Sequence, residues 1–327
     1  MRQNRPFDPS HLLDGFGDTP AVVGTSRNGR RTLHTNGPAS DGSTFRIASL
    51  TKPLVAVASV VAARRAGVAL DAPILDLLPQ LREDWAADPS LTTADVLSQT
   101  SGLSPTVTSD DVAALEQDDG VSLEAARLVV RAGNIRPPGE AWEYYNGNYF
   151  LAGAVLAVLS GTTVESATDE LVLRPWGLRA TSFAAPPTLV PGADNGAPLA
   201  APGYPRGRRP SGGLCSTAPD LLTFGERLLQ RDDLLREVRR ERTRAGDTNR
   251  YGLGWAIGPS GQMYLNGRLP GYRAALLLVP AHGLVGVTLA ADSEALPAAA
   301  KVLSTVQEQE TGDDLAEAIN DFAAPGP

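Results

Sequence analysis

FRIASLTKPLVAVASVVAARRAG, residues 45–67, contains the longest apolar run of the chain, from residue 53 to residue 63. A helix that is apolar almost all round is typical of a buried position, so the sequence predicts a buried helix here. Gly67 fits its C-terminal cap, and Pro53 belongs in its first turn, so the helix begins near residues 49–50. Ser49 and Lys52 are three residues apart and therefore lie on one face of that first turn.

This pair has the chemistry of an activated nucleophile. A serine hydroxyl reacts poorly until a base takes its proton. Lys52 can be that base if burial and the helix N-terminus lower its pKa, whereas an arginine keeps its proton in proteins. The backbone N–H of Ser49 points out of the helix start, where it can stabilise an oxyanion. Lys52 and Lys301 are the only two lysines in the sequence.

Composition excludes several classes of protein. The chain has 327 residues, a net charge of −8 and a pI of about 5.0, which argues against a nucleic-acid partner. The basic runs at residues 205–210 and 236–244 are interpreted as a solvated loop and a solvated helix face. Cys215 is the single cysteine, so no intrachain disulfide is possible, and a buried thiol is expected.

We also expect no membrane partner and a cytoplasmic location. The N-terminal residues MRQNRPFDPSHLL lack the apolar core of a signal peptide. The apolar run that ends at residue 63 is far shorter than the roughly 18 residues that span a bilayer.

Strand patterns at both chain ends bracket a helical middle. Residues 21–37 predict a hairpin around Asn28-Gly29, and strands are predicted at 251–258, 261–267, 272–280 and 283–292. Two helices, 294–309 and 312–322, close the chain. The sequence thus predicts an α+β fold, with an antiparallel sheet built from both chain ends, flanking helices and an inserted, mostly helical subdomain. The predicted sheet subdomain comprises 1–60 and 248–327, the helical subdomain 61–247, and the active-site cleft lies between them.

Other catalytic or binding motifs are missing from the sequence. It contains no G-x-S-x-G nucleophile elbow, no phosphate loop and no dinucleotide fingerprint. Three histidines, at 11, 34 and 282, favour neither a Ser-His-Asp triad nor a zinc site. We therefore predict no cofactor and no metal.

Several sequence blocks, in order, resemble one family of serine enzymes. They are TFRIASLTKP (44–53), LTTADVLSQTSGLSP (91–105), PPGEAWEYYNGNYFLAGAVL (137–156), SGGLCSTAPDLLTFG (211–225), YGLGW (251–255) and NGRLPGY (266–272). Together they resemble the serine β-lactamase and penicillin-binding-protein superfamily, specifically its class C and esterase or transacylase branch. The resemblance covers nearly the whole chain and implies the β-lactamase/transpeptidase-like fold.

The resemblance also implies roles for particular residues. Ser49 matches the nucleophile of the S-x-x-K motif, and Lys52 matches its basic partner. Tyr144 and Asn146 match the Y-x-N motif, in which the tyrosine shuttles protons and the asparagine binds lysine and substrate. A tyrosine beside a lysine can have a lowered pKa, which would suit general acid/base catalysis by Tyr144.

A third family motif, usually K-T-G or H-x-G, falls on Leu265-Asn266-Gly267. Leu265 thus occupies the position of the usual cation, which leaves Arg268 and Arg273 as candidates for a displaced charge. Gly267 allows the strand to approach a ligand closely. The resemblance implies that residues 265–268 bind substrate and that the N–H groups of Ser49 and Arg268 bind the oxyanion.

The sequence predicts a serine acyl-enzyme hydrolase or transacylase. Its expected substrate is a small ester, thioester or amide, with water, an amine or an alcohol as acceptor, in cytoplasmic metabolism of the secondary-metabolite type. The lack of an export signal and the leucine at 265 favour this function over two alternatives: a D-alanyl-D-alanine carboxypeptidase or β-lactamase, and a non-catalytic ligand-binding homologue. The acyl group, the acceptor and the oligomeric state stay open.

Overall fold

The structure, a computed structural model, describes residues 10–200 and 203–321. Its strands are numbered in chain order. They are β1 Ala21–Arg27, β2 Arg30–Asn36, β3 Phe45–Arg46, β4 Ala193–Asp194, β5 Ala197–Pro198, β6 Cys215–Ser216, β7 Ala256–Ile257, β8 Met263–Leu269, β9 Tyr272–Val279 and β10 Leu284–Ala290.

The main sheet has six antiparallel strands in the order β2-β1-β10-β9-β8-β7. Strands from the two chain ends meet where β1 pairs with β10, with Ala21 opposite Ala290. The predicted antiparallel sheet built from both ends is therefore confirmed. Asn28 and Gly29 form the turn between β1 and β2, and both have positive φ, as a tight hairpin requires.

Helices of very different lengths make up most of the remaining structure. They are α1 Ser10–Leu13, α2 Thr51–Ala66, α3 Ile74–Leu77, α4 Thr93–Leu97, α5 Ser109–Ala113, α6 Val121–Arg131, α7 Asn146–Ser160, α8 Val164–Thr168, α9 Arg174–Trp176, α10 Arg209–Gly212, α11 Ala218–Leu229, α12 Asp232–Arg239, α13 Leu296–Thr311 and α14 Ala316–Asp321. Short 3₁₀ turns occur at Asp14–Phe16, Ala48–Leu50, Pro79–Asp84, Arg206–Arg208 and Pro280–His282, and a π turn at Asp169–Leu173.

Both faces of the sheet are covered. A Cβ added at Gly24 of β1 would meet Leu222 of α11, and one added at Gly286 of β10 would meet Leu303 of α13. Every residue of β10 is consequently buried. Since successive strand residues point to opposite faces, this two-sided covering explains why the strand sequence LVGVTLA is apolar without alternation. α11, from within the 61–247 range, thus packs on the sheet. The division into subdomains stays a prediction.

The helical part centres on α2 and α7, which pack against each other. α2 has twelve buried residues among its sixteen, so the buried helix is confirmed. It follows a 3₁₀ turn at Ala48–Leu50 and ends at Gly67, whose φ of 67° places it in the left-handed region, as predicted for the cap.

The structure corrects two local expectations. Of the strand expected at 251–258, only Ala256–Ile257 forms, because Gly254 has a φ of 79° and turns the backbone past the Tyr149 hydroxyl. The loop at 205–210 was expected to be solvated. Instead Arg206 and Arg209 pair with Glu165, at 3.1 and 2.5 Å.

Within the described ranges, no single helix has the length and hydropathy to cross a membrane, and only the pair Asn146–Ser160 and Val164–Trp176, bent by 75°, passes that test together.

Candidate active site

Ser49 lies in a tight turn against which Gly267 packs closely. The preceding residue, Ala48, has a φ of 48°, which is a strained backbone conformation for an alanine. A Cβ at Gly267 would stand 2.3 Å from the Ile47 carbonyl oxygen, whereas one at Gly212 of α10 would make only an ordinary contact, 3.5 Å, with the Ala48 carbonyl carbon. The turn is therefore held between β8 and α10, and it presents Ser49 at the start of α2.

Lys52 is completely buried and points at this serine. Its Nζ lies 3.1 Å from Ser49 Oγ, 2.9 Å from Asn146 Oδ1 and 2.8 Å from the Ser211 carbonyl oxygen. Among the described residues, no carboxylate comes within 4.0 Å of Nζ. Burial without a counter-ion lowers the pKa of Lys52 well below its usual value of 10.5.

These contacts suit a neutral amine. A neutral lysine has two N–H donors and one lone pair, and the Asn146 and Ser211 oxygens can take the two donors. The lone pair is then left for the Ser49 hydroxyl proton. The network is satisfied without burying a charge, and it leaves Lys52 ready to accept that proton.

Tyr144 approaches Ser49 from the other side. Its hydroxyl donates a hydrogen bond of 2.8 Å to Ser49 Oγ, and its ring centroid is 4.8 Å from Lys52 Nζ. Burial raises the pKa of Tyr144 above its usual value, and the hydrogen bond with Ser49 only partly offsets this. The expected lowering of this pKa is therefore wrong. It assumed a charged lysine beside the phenol, and a neutral amine cannot stabilise a phenolate.

Asn146 is the first residue of α7, so the helix fixes the position of its Cα and Cβ atoms. The structure thus brings Ser49, Lys52, Tyr144 and Asn146 into one hydrogen-bonded cluster. Their catalytic roles stay predictions.

Gln99 supports this cluster and was not singled out from the sequence. Its backbone oxygen accepts from the Glu143 N–H at 2.9 Å, and its Oε1 accepts from the Tyr145 N–H at 3.0 Å and from Asn148 at 2.6 Å. It has a φ of 63° and is almost completely buried. Gln99 therefore fixes the backbone on both sides of Tyr144. The available signal in the sequence was a glutamine within the block LTTADVLSQTSGLSP (91–105), three residues before Gly102.

A cavity of about 820 Å³ opens beside the cluster. Ser49, Tyr144 and Asn146 form one part of its wall, and Val107 and Thr108 form another. A cavity of this size is large enough for a small organic molecule, and Ser49 faces it.

Strand β8 supplies the opposite wall. Asn266 and Arg268 line the cavity, and their side chains donate to the carbonyls of Ile319 and Asn320 near the end of α14. Leu265, also expected to contact substrate, is completely buried and lies outside the cavity wall. Leu265 points to the same face as Gly267, which packs on the Ser49 turn.

The backbone of Arg268 faces the cavity. Leu269 and Tyr272 close a two-residue hairpin, so they form a hydrogen-bonded pair, and Arg268 opposite Arg273 forms a non-hydrogen-bonded pair. The Arg268 N–H therefore points away from β9. β7 pairs only as far along β8 as Tyr264, so the β8 edge beyond this residue faces the cleft. This orientation is the one an oxyanion donor needs.

Cys215 is buried beside Arg46 in a two-stranded pairing, and burial raises the pKa of its thiol, as suits a structural cysteine.

Among the described residues, no group of three or more His, Cys, Asp or Glu side chains is arranged to hold a metal.

A model of the Beta-lactamase family matches residues 11–308. The chain belongs to the Beta-lactamase family. Esterase EstB of Burkholderia gladioli is 32% identical over 157 residues, which are 45% of this chain and 40% of that relative. The chain thus spans less than half the length of this curated relative.

Solved structures agree on the fold. A class C β-lactamase from Rhodobacter sphaeroides superposes with a TM-score of 0.71 at 19% identity, over 87% of this chain and 93% of that one. EstCE1, described as a hydrolase with promiscuous acyltransferase activity, has a TM-score of 0.71 at 19% identity. The superposition covers 87% of this chain and 92% of that one. The predicted β-lactamase/transpeptidase-like fold and the family resemblance are confirmed.

Proposed function

We propose that the protein is a serine hydrolase or acyltransferase that works through an acyl group on Ser49. One observation carries the proposal: a buried Lys52 without a counter-ion lies within hydrogen-bonding distance of the Ser49 hydroxyl. A base with a lowered pKa beside a serine is the arrangement that makes the hydroxyl nucleophilic near neutral pH. The relationship to Esterase EstB supports an ester as the substrate class.

In the proposed mechanism, Lys52 takes the Ser49 proton while Oγ forms a bond to the substrate carbonyl carbon. The N–H groups of Ser49 and Arg268 stabilise the resulting oxyanion. Tyr144, which burial keeps protonated, gives its proton to the leaving oxygen or nitrogen as that bond breaks, and Lys52 returns a proton to Tyr144. Water, an alcohol or an amine then takes the acyl group by the reverse sequence. A cytoplasmic location is part of this proposal.

Intact-mass spectrometry with activated esters and thioesters tests the proposal. Wild-type protein is expected to gain the mass of the acyl group or to turn the ester over, and Ser49→Ala is expected to do neither. Ser40→Ala, which changes an exposed serine, is the matched control and is expected to behave as wild type.

The absence of both adduct and turnover across the panel would overturn the proposal. Stable acylation by a penicillin, or its hydrolysis, with no reaction on simple esters would instead favour the carboxypeptidase or β-lactamase alternative.

A further inference from the structure

Tyr149 faces Lys52 from the helix that also carries Asn146. The tyrosine and the asparagine lie three positions apart on α7, and therefore on one face of this helix. Lys52 Nζ is 2.9 Å from Asn146 Oδ1, and it lies over the ring of Tyr149, 5.4 Å from the ring centroid. One helix face thus presents both a hydrogen-bond acceptor and an aromatic ring to the proposed base.

The position of the Tyr149 ring is fixed by contacts at its hydroxyl end. The side chain is completely buried, and its hydroxyl donates a hydrogen bond of 3.1 Å to the Leu97 carbonyl oxygen at the end of α4. The same oxygen accepts the Gly254 N–H at 3.0 Å. A Cβ at Gly254 would stand 3.0 Å from the Tyr149 hydroxyl oxygen and 3.2 Å from the Lys52 carbonyl oxygen, so the backbone closes in on both residues. The hydroxyl is an anchor, and the ring face is the part directed at Lys52.

The proposed reaction creates a positive charge in this buried place. When Lys52 accepts the Ser49 proton it becomes an ammonium, and a buried charge is costly unless its surroundings stabilise it. The hydrogen-bond acceptors at Nζ are uncharged oxygens of Ser49, Asn146 and Ser211. An aromatic face attracts a cation that lies within about 6 Å of its centroid, and the attraction is stronger where water is absent.

We propose that Tyr149 is a positioning residue that acts through Lys52: the face of its ring stabilises the ammonium formed when this lysine takes the Ser49 proton. A neutral amine gains little from the ring, because the attraction needs a positive charge. The contact therefore favours the proton-accepting step over the resting state, which is what accelerates a reaction. This inference rests on the proposed function. It gives Tyr149 no contact with substrate, since the residue lies outside the cavity wall.

Within the described part of the chain, the titratable side chains that surround Lys52 are tyrosines. Tyr144 faces it as Tyr149 does, with a centroid distance of 4.8 Å. Tyr204 and Tyr251 lie close enough to Tyr144 to interact with it. Burial raises the pKa of all four phenols, so they stay neutral at the pH values at which Lys52 titrates.

The arginines beside α10 and on β8 are engaged with other groups. They are Arg208 over the ring of Tyr204 at 5.2 Å, Arg209 paired with Glu165 at 2.5 Å, and Arg268 bonded to the Asn320 carbonyl. Burial is the cause that lowers the pKa of Lys52. The aromatic faces are therefore the groups through which this pKa can be moved while the burial of Lys52 is kept.

Lysine labelled with carbon-13 at its ε carbon provides a direct test, because Lys52 and Lys301 are the only two lysines of the chain. The variant Lys301→Arg assigns the two NMR signals, and the pH titration of the Lys52 signal reports its charge without any substrate. The forms compared are wild type, Tyr149→Phe, and full-length protein with pentafluorophenylalanine at position 149. The fluorinated ring keeps the shape of phenylalanine, but its face is no longer negative.

We expect the Lys52 signal to titrate at nearly the same pH in wild type and Tyr149→Phe, and at a lower pH with the fluorinated ring. The direction follows because a ring that stabilises the ammonium raises the pKa of Lys52, and loss of the attraction lowers it. Acylation by an activated neutral ester, measured in single turnovers, should be roughly 2- to 30-fold slower with the fluorinated ring than in Tyr149→Phe, the range that a cation–π contact supplies.

The same pair of rings at position 264 is the control. Tyr264 is buried, and it points to the face of β8 opposite to that of Gly267, which packs on the Ser49 turn. Neither substitution there is expected to move the Lys52 titration. Thermal melts identify any form that fails to fold, and 3,5-difluorophenylalanine at position 149, a milder change of the ring face, keeps the test valid in that case.

Equal or higher titration midpoints with the fluorinated ring, unchanged acylation rates, or the same shift from position 264 would each overturn this role of Tyr149 and leave the proposed function standing. A midpoint that depends on the ring at 149, without Ser49-dependent acylation by any ester, would overturn the proposed function and leave the contact between Tyr149 and Lys52.

Discussion

The start of α2 and the β8–β9 hairpin face each other across the same cavity. They differ in whether burial can remove the positive charge of their basic side chains. At α2, Lys52 is fully buried and its contacts are the uncharged oxygens of a serine, an asparagine and a backbone carbonyl. At the hairpin, Arg268 and Arg273 keep their charges side by side on a partly exposed wall. A lysine must lose its charge to act as a base, whereas an arginine keeps its charge in proteins.

In the proposed function, α2 carries the reacting groups and the hairpin forms the opposite wall of the cavity. The α2 side depends on burial, which shifts the pKa values of Lys52 and Tyr144 in the directions that leave both groups neutral. The hairpin depends on residues whose charge burial cannot remove. Changes on the first side should therefore act on all substrates alike, and side-chain changes on the second should act on the choice among substrates.

The largest expected effect comes from removing the base. Lys52→Met keeps most of the length of the side chain but has no amine, so we expect kcat/KM to fall by roughly 10²- to 10⁴-fold on neutral and charged esters alike. Steady-state kinetics on one ester of each kind check this.

Lys301→Met is the matched control, because Lys301 is the other lysine and its side chain is largely exposed. Nearly full activity in Lys52→Met, in a protein with an unchanged circular dichroism spectrum, would contradict the role of Lys52.

A smaller effect is expected where the two sides touch. In Gly267→Ala, the added methyl group would stand 2.3 Å from the Ile47 carbonyl oxygen and must push the hairpin away from the Ser49 turn. Overpacking of this kind costs about 1–3 kcal/mol of stability. Since the shift displaces the Arg268 N–H without removing it, we expect kcat to fall by about 10- to 100-fold, less than the roughly 10²- to 10³-fold cost of a lost oxyanion donor.

Kinetics and thermal melts check both parts of that prediction. Gly42→Ala is the control, since a Cβ there meets nothing within 4 Å. If Gly267→Ala lowered the melting temperature but left kcat unchanged, the hairpin would not supply the oxyanion donor.

Much of the fold and the core of the site could be predicted because they rest on local patterns. The Ser49–Lys52 spacing, the buried helix and its Gly67 cap follow from helix geometry, and the sheet follows from apolar strands at both ends. The supports of the site depend on long-range packing. Gln99 reaches Tyr145 across 46 positions of the chain, and no periodicity in the sequence indicates that contact.

The pKa of Tyr144 shows a second limit of the sequence. Placing a tyrosine near a lysine suggested that its pKa falls, but the direction depends on whether the lysine is charged, and burial decides that. Similarly, Leu265 was correctly placed beside Gly267 on the strand, yet only the packing shows that it lies in the core. The sequence can thus indicate which residues lie close together. How a neighbour changes the pKa of a residue, and whether the residue is buried, depends on the packing around it.

The pH dependence of Ser49 acylation tests the central claim, that Lys52 is a neutral base, most directly. The rate would be measured in single turnovers of an activated neutral ester, for wild type and for Tyr144→Phe. Acylation requires unprotonated Lys52, so its rate should rise with pH through the pKa of this group and then level off. We predict that it levels off well below 10.5, the usual pKa of a lysine, and that the slower Tyr144→Phe variant keeps this rise. A rate that keeps rising until about pH 10.5, or one that does not change with pH, would contradict the account.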